Sequence, residues 1–198
     1  MVFVRFSSSA SIQVVDQADA PNAFSYLVPK LANASIMVAA REGPYDGPTG
    51  LAHADGLSPG ANSVVLDIPA PAEPLSPVGG SASAVTKDTT FTFKASPDSK
   101  GAFVVWMENT SFQQTLYIVT SKTSFKIPVV AGGMFELDAA QTFRWRVETH
   151  GAFATVDEMT GASGFMDAFS FNWSTPMGPK QESGSFTMSG AYGFTTAP

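Results

Sequence analysis

Segments that alternate apolar and polar residues dominate this chain, and they constrain its fold more than any other feature. The alternation is clearest in residues 89–94, 114–120, 123–128 and 142–147. A period of two sends successive side chains to opposite faces of a strand, so one face can be buried while the other stays wet. Helical spacing is rarely sustained, and Gly or Pro interrupts most windows that could be helical. The pattern therefore predicts an all-β fold of antiparallel sheets packed face to face.

The predicted strands fall into two groups separated by a proline-rich segment. Closely spaced prolines remove backbone donors and favour an extended chain, so residues 69–74 are predicted to form a short, stiff linker. We expect a smaller N-terminal β-sandwich, whole or partial, in residues 1–68 and a larger sandwich in residues 69–198. The predicted strands of the first group are Val2–Phe6, Ser11–Val15, Phe24–Val28, Ser35–Arg41 and Asn62–Ile68. Residues 75–80 are predicted to form the entry strand and turn of the second group, which continues with Thr89–Lys94, Phe103–Trp106, Thr115–Val119, Ser124–Ile127, Thr142–Glu148, Ser185–Met188 and Tyr192–Thr196.

Charge and composition narrow the classes of partner. The net charge is −6, and the 11 Lys and Arg residues are spread along the chain, so no basic stripe is available for nucleic acid or for an anionic membrane. No apolar run approaches the ~20 residues of a membrane helix. The chain has no Cys, which excludes disulfides and thiolate metal sites. The first residues are typical of a strand rather than a signal peptide, so we expect the chain to belong to a longer precursor.

Residues 69–198 resemble a fibronectin type III domain of bacterial extracellular proteins. The resemblance rests on Pro74-Leu75-Ser76-Pro77, Phe91-Thr92-Phe93, Phe125-Lys126-Ile127-Pro128, Leu137 with Phe143, Trp145 and Val147, and the ending Gly193-Phe194-Thr195. It implies an immunoglobulin-like sandwich without catalytic residues, located outside the cell or on its surface. Phe143 stands where the family usually has Tyr, so packing must hold this corner. Residues 150–184 form an insertion longer than a hairpin loop. Residues 1–68 are loosely similar to immunoglobulin-like or carboxypeptidase-regulatory-like repeats.

No combination of residues predicts catalysis or a cofactor. His53 and His150 each adjoin turn residues, and we interpret both as solvated loop side chains. No nucleophile elbow, phosphate loop or dinucleotide fingerprint occurs, so the chain is predicted not to be an enzyme. Acidic loop residues offer a minor alternative, a calcium ion bound in a loop. They are Glu42, Asp46 and Asp55, Glu136 with Asp138, and Asp157 with Glu158.

An aromatic row in the insertion is the candidate ligand-binding site. Phe165, Phe169, Phe171 and Trp173 fall on one face of a predicted strand. An exposed row of this kind would stack on a sugar ring or contact a protein. The alternative is that these rings are buried against the sandwich or cover its edge. Trp106 is a further possible platform.

Three functions follow as expectations. The first is a non-catalytic spacer or binding and adhesion module of a bacterial surface or secreted protein, with a protein or polysaccharide partner. The second is a carbohydrate-binding accessory module that uses the aromatic row. The third is a structural subunit that assembles through exposed β edges. The oligomeric state, and the ability of residues 1–68 to fold alone, are left open.

Overall fold

The fold is almost entirely β, in agreement with the alternating sequence. A computed structural model describes residues 1–6, 11–15, 23, 25–44, 46–79, 84–111, 114–128, 135, 137–151, 153–161 and 183–198. The strands are β1 Val2–Arg5, β2 Ser11–Val15, β3 Ser35–Glu42, β4 Thr49–Leu57, β5 Glu73–Ser76, β6 Phe91–Lys94, β7 Phe103–Asn109, β8 Gln114–Thr120, β9 Ser124–Phe125, β10 Thr142–His150, β11 Ser183–Met188 and β12 Tyr192–Thr195, with one short helix, α1 Val156–Thr160.

The strands form two antiparallel sheets, which confirms the predicted all-β sandwich. The larger sheet has the order β2-β1-β3-β4-β11-β10-β7-β8, and β12 also pairs with β10. The smaller sheet has the order β5-β6-β9. Strand β10 carries β7 on one edge, while its other edge is shared by β12 near Phe143 and by β11 near Thr149.

The core lies between the smaller sheet and the β7–β10 part of the larger one. Phe91 of β6 packs edge-on against Trp145 of β10, with ring centroids 5.3 Å apart. The Trp145 indole N–H donates a 2.8 Å hydrogen bond to the Pro77 carbonyl oxygen, so this buried polar group is satisfied. The rest of the core is equally apolar and includes Phe93, Phe103, Val105, Met107, Phe143, Val147 and Phe194.

Phe143 is held by contacts with two other aromatic rings. Its ring is completely buried and stacks on Phe194 at a centroid distance of 5.3 Å. Phe135 approaches the same ring edge-on at 5.7 Å. Stacked and edge-on ring pairs of this kind are favourable contacts, so they fix Phe143 in the core.

The N-terminal strands differ from the prediction in two places. Residues 25–34 contain no strand, and the predicted strand Asn62–Ile68 is extended coil. Strand β4, Thr49–Leu57, is absent from the predicted strands. Strand β4 is central in the sheet, with β3 on one edge and β11 on the other.

Gly50 accounts for the position of the coil at residues 62–68 beside β4. A Cβ atom at this position would lie well within 3.0 Å of the Pro69 carbonyl oxygen and 2.8 Å from the Cγ2 atom of Ile68. The coil that ends at residue 69 therefore packs directly on β4, and only glycine permits this approach. Ser63 has a φ of 57°, a left-handed conformation that is incompatible with a continuous strand there.

The predicted domain boundary after residue 68 stays a prediction. Strands β4 and β11 fall on opposite sides of that boundary in sequence and pair from Thr49 with Met188 to Ala54 with Ser183. The sheet is therefore continuous from the N-terminal strands into the sandwich. Helix α1, which the sequence pattern did not predict, begins at a capping box in which Thr155 and Glu158 satisfy each other's backbone N–H groups.

Candidate functional site

The aromatic row that the sequence analysis selected lies outside the described residues. Phe165, Phe169, Phe171 and Trp173 therefore stay a prediction. Trp106, the further candidate platform, is described and is only 8% exposed. The guanidinium carbon of Arg146 lies 4.4 Å from its ring centroid and that of Arg144 lies 5.2 Å away. The ring is thus occupied by cation–π contacts, and the interpretation of Trp106 as a sugar platform is wrong.

The two histidines belong to strands rather than to solvated loops. His53 is a buried residue of β4, and His150 ends β10 with its ring 5.0 Å from that of Phe186. The pairing of β4 with β11 and of β11 with β10 puts both histidines on one face of the larger sheet, with β11 between them. The interpretation of both as solvated is therefore wrong.

A row of three ionisable side chains lies along β10 at every second position. Arg146 donates from Nε to Oε1 of Glu148 at 2.8 Å, and its terminal nitrogen lies at the same distance from that oxygen. The other carboxylate oxygen lies 3.7 Å from Nε2 of His150. All three side chains are largely buried, and the Glu148 side chain is only 4% exposed. The guanidinium offsets the cost of burying the carboxylate, so we interpret the row as a structural ion pair with a flanking imidazole.

This row affects the ionisation of one nearby phenol. Tyr117 of β8 lies opposite Trp106 in the strand register. Burial raises the pKa of the Tyr117 hydroxyl, and the negative charge of Glu148 raises it further. Because Tyr117 is 37% exposed, water screens both effects, and the pKa of the phenol stays above its ordinary value chiefly through burial.

Of the acidic residues considered for calcium, Glu136 lies outside the described residues, and the others do not form a group that could hold a metal ion. Asp55 forms an ion pair with Arg5, while Glu42 and Asp46 are exposed. Within the described ranges, no three His, Asp or Glu side chains are grouped closely enough to hold a metal ion.

At the surface, a hydrogen bond from Lys87 holds the pKa of the Asp88 carboxyl below its ordinary value.

The two ends of the larger sheet are the feature most suited to binding. Strand β2 is one terminal strand and β8 is the other, and in the described part of the chain each pairs with a single neighbour. Neither strand contains a charged residue or a proline. Soluble proteins usually protect such edges with Lys, Pro, a β-bulge or a covering segment, because unpaired backbone groups recruit another strand. Strand β2 contains such an irregularity, since its register with β1 shifts by one residue between Gln13 and Val15.

Strand β2 is the more exposed of the two ends. Ser11 through Val14 are all exposed, with Ile12 at 57% and Val14 at 40%. In β8, Leu116 and Ile118 are half-buried and pack against the core. Sequence analysis predicted β2 as a strand, but it could not show that the strand lies at an edge, because strand order depends on contacts between distant residues.

Comparison with known proteins identifies no relative. No family model, no curated protein sequence and no solved structure matches the chain. The described residues include no helix with the length and apolar character needed to span a membrane. Functional conclusions therefore rest on the geometry of this chain alone.

Proposed function

We propose that the chain is a non-catalytic β-sandwich module of a bacterial surface or secreted protein, and that it acts by presenting surfaces to a protein or a polysaccharide. The module is built on a fibronectin type III-like core in residues 69–198. The observation that carries the proposal is the distribution of strands between the two sheets. It is an architecture whose known uses are mostly scaffolding and binding.

The strand order supports the fibronectin-like assignment. The first, second and fifth strands of the core are β5, β6 and β9, and they form the smaller sheet. The third, fourth, sixth and seventh are β7, β8, β10 and the β11–β12 pair, in the order β8-β7-β10-β12. This is the immunoglobulin order with the fourth strand moved to the other sheet.

The last core strand is divided, and each part has a separate role. Ser189 interrupts it. The Ser189 backbone N–H donates to the Val147 carbonyl at 2.9 Å, and the Ser189 hydroxyl accepts from the Val147 N–H at 2.9 Å. Strand β12 completes the core, while β11 also pairs with β4. The N-terminal strands thus cover an edge that such a core would otherwise expose.

A cell-binding assay tests the proposed role. Fluorescently labelled protein is added to a panel of intact Gram-positive and Gram-negative bacteria, and bound protein is measured against concentration. We expect saturable binding to some cells. Loss of binding after protease treatment of the cells indicates a protein partner, and loss after periodate oxidation indicates a polysaccharide. Linear, non-saturable binding to every cell type would contradict the proposal, as would a hydrolytic activity that co-purifies with the chain.

A second candidate, a structural subunit that assembles through β edges, is favoured by the uncharged ends of the larger sheet. The chain carries a net charge of −6, yet both terminal strands are neutral. Charge therefore does not oppose edge-to-edge approach at these strands. Light scattering at increasing protein concentration tests this role. Growth of the scattering mass per chain supports assembly, and a constant monomer mass contradicts it.

A further inference from the structure

The outward face of the smaller sheet brings together polar residues from β6 and β9. In β6, Phe91 and Phe93 are buried, so the alternating Thr92 and Lys94 face away from the core. Thr92 lies opposite Ser124 of β9 in the register. Because opposite residues of an antiparallel pair share a face, Ser124 faces outward as well.

Two further lysines extend this face at the two ends of β9. Lys126 is exposed and lies two residues beyond the outward-facing serine of that strand. Lys122 is also exposed and precedes Thr123, whose carbonyl oxygen accepts a 3.0 Å hydrogen bond from the Phe93 N–H. This bond places Lys122 beside Lys94. The surface formed by Thr92, Lys94, Lys122, Ser124 and Lys126 is called the lysine face below.

The lysine face is positive in a chain that is negative overall. Two acids border it: Glu73 lies opposite Lys94 in the β5–β6 register, and Asp88 pairs with Lys87 at 2.9 Å. These two acids, Lys87 and the three lysines of the face sum to +2, so the rest of the chain carries −8. Among the described residues, no carboxylate forms an ion pair with a lysine of the face. An anionic partner is therefore attracted here and repelled by the remainder of the molecule.

Protection of a sheet edge explains only part of this arrangement. Lysines often protect a terminal strand from pairing with another chain, and β9 is terminal in the smaller sheet. That role accounts for Lys122 and Lys126, whereas Lys94 belongs to β6, which has a neighbour on each edge. Thr92 and Ser124 lie between the lysines, and their hydroxyls can donate and accept hydrogen bonds. Amines separated by hydroxyls fit a ligand that carries both carboxylates and hydroxyls.

We propose that the lysine face binds a linear polysaccharide that carries carboxylate groups, with the sugar chain running along β6 and β9. Its carboxylates pair with Lys94 and Lys122 at one end of the face and with Lys126 at the other, about 13 Å further along the strand. Sugar hydroxyls bond to Thr92 and Ser124 between them. This inference rests on the proposed function and selects the polysaccharide from its two classes of partner.

The distribution of charge favours a single sugar chain over wider polyanions. A DNA duplex carries one charge per ~1.7 Å, which a face of +2 neutralises only in small part. A duplex or an anionic membrane is also broad enough to approach the remainder of the chain, which carries −8. A single polysaccharide contacts the narrow face alone. Ion pairs of exposed lysines are individually weak and screened by salt, so affinity comes from repeated contacts along the polymer.

Polygalacturonate is a direct probe, because every sugar of this polymer carries a carboxylate. The same polymer with its carboxylates methyl-esterified is the matched control, since it keeps the sugar backbone and loses the charge. Binding of the chain to each immobilised polymer is measured by biolayer interferometry. We expect saturable binding to polygalacturonate that weakens as salt rises, and roughly tenfold weaker binding to the methyl ester.

Paired substitutions locate the binding on the lysine face. Lys94→Gln combined with Lys126→Gln is expected to raise the Kd for polygalacturonate roughly fivefold to tenfold. Lys30→Gln combined with Lys100→Gln makes the same change of net charge at exposed lysines outside β6 and β9, and is expected to raise it less than about twofold. Lys94→Arg combined with Lys126→Arg keeps the charge and is expected to retain binding. Circular dichroism checks that each variant is folded.

Several results would overturn the proposal. These are failure of the unaltered chain to bind polygalacturonate, equal binding to its methyl ester, and equal losses in the two glutamine variants. Tighter binding to polyglutamate would indicate an acidic protein partner instead. A dimer in sedimentation velocity that is lost only in Lys94→Gln with Lys126→Gln would indicate a second copy. Saturable cell binding that this variant leaves unchanged would refute the role of the lysine face and leave the proposed function standing.

Discussion

Gly50→Ala is a direct perturbation of the contact between β4 and the coil that crosses it. The added methyl group meets the Pro69 carbonyl oxygen well inside 3.0 Å and the Ile68 side chain at 2.8 Å. The Ile68 methyl can rotate away, but the carbonyl belongs to the backbone and moves only with the chain. The coil must therefore shift by about 1 Å, and overpacking of this kind costs about 1–3 kcal/mol.

Thermal unfolding measures that cost. For a chain of this size, 1 kcal/mol lowers Tm by about 2–4 °C, so Gly50→Ala is expected to lower Tm by about 2–12 °C. Gly190→Ala is the matched control, because its Cβ would lie 3.6 Å from Pro48 and Tyr192, an ordinary contact distance. The control is expected to be neutral or slightly stabilising. Equal Tm values for the two variants would refute the packing of residues 68–69 on β4.

Two further predictions concern the charged face of the sheet. Glu148→Gln leaves the largely buried Arg146 without its countercharge. It is expected to lower the free energy of unfolding, measured by urea denaturation, by about 3–5 kcal/mol. The control Glu108→Gln is expected to lower it by less than about 1 kcal/mol, because its partner Arg144 is half exposed. Similar losses in the two variants would contradict the buried ion pair. Because the folded-state pKa of Tyr117 is raised, the stability linked to this group is complete below its unfolded-state pKa and is lost as pH rises through the folded value. Tyr117→Phe is expected to remove the loss of stability at alkaline pH that is linked to this phenol. Glu148→Gln is expected to lower the pKa of Tyr117, measured from phenolate absorbance, although burial still holds that pKa above its ordinary value. An unchanged titration of Tyr117 in Glu148→Gln would show that the charge of Glu148 does not affect the pKa of the phenol.

The sandwich core could be predicted because its strands carry their own signal. Phe91, Trp145 and Val147 sit at every second position in segments that are rich in β-branched and aromatic residues. Each of these strands buries one face, so local alternation and tertiary burial agree. The resulting prediction located every core strand that the structure contains in residues 89–151.

The N-terminal strands were harder because local preference and packing disagree there. Four of the nine residues of strand β4 are Gly or Ala, which have low strand propensity, yet the strand lies inside the sheet with a neighbour on each edge. Val64 and Val65 have high propensity, yet they belong to exposed coil. The deciding factor is the close approach of Pro69 to Gly50, a contact between segments distant in sequence that no local pattern encodes.

The candidate site shows the same limit. His53 and His150 adjoin small residues, which suggested turns, but pairing with β11 makes both positions part of a sheet. Arg146 and Glu148 were present in the sequence two residues apart in a predicted strand, Thr142–Glu148, whereas His150 lay beyond the predicted end of that strand. The burial of these side chains depends on which other segments cover that face of β10, and those contacts join residues that are distant in sequence. Strand β2 was predicted with its observed bounds, whereas its place at the end of the sheet follows only from the strand order.

Amide hydrogen exchange of the two terminal strands, β2 and β8, measured by NMR at low and high protein concentration, tests binding through the sheet edges most directly. In a strand paired on one side, part of the N–H groups point outward and exchange freely. Binding through a sheet edge predicts that the outward amides of β2 or of β8 become protected as the protein concentration rises. Exchange rates that are the same at all concentrations in both strands would contradict assembly through these edges.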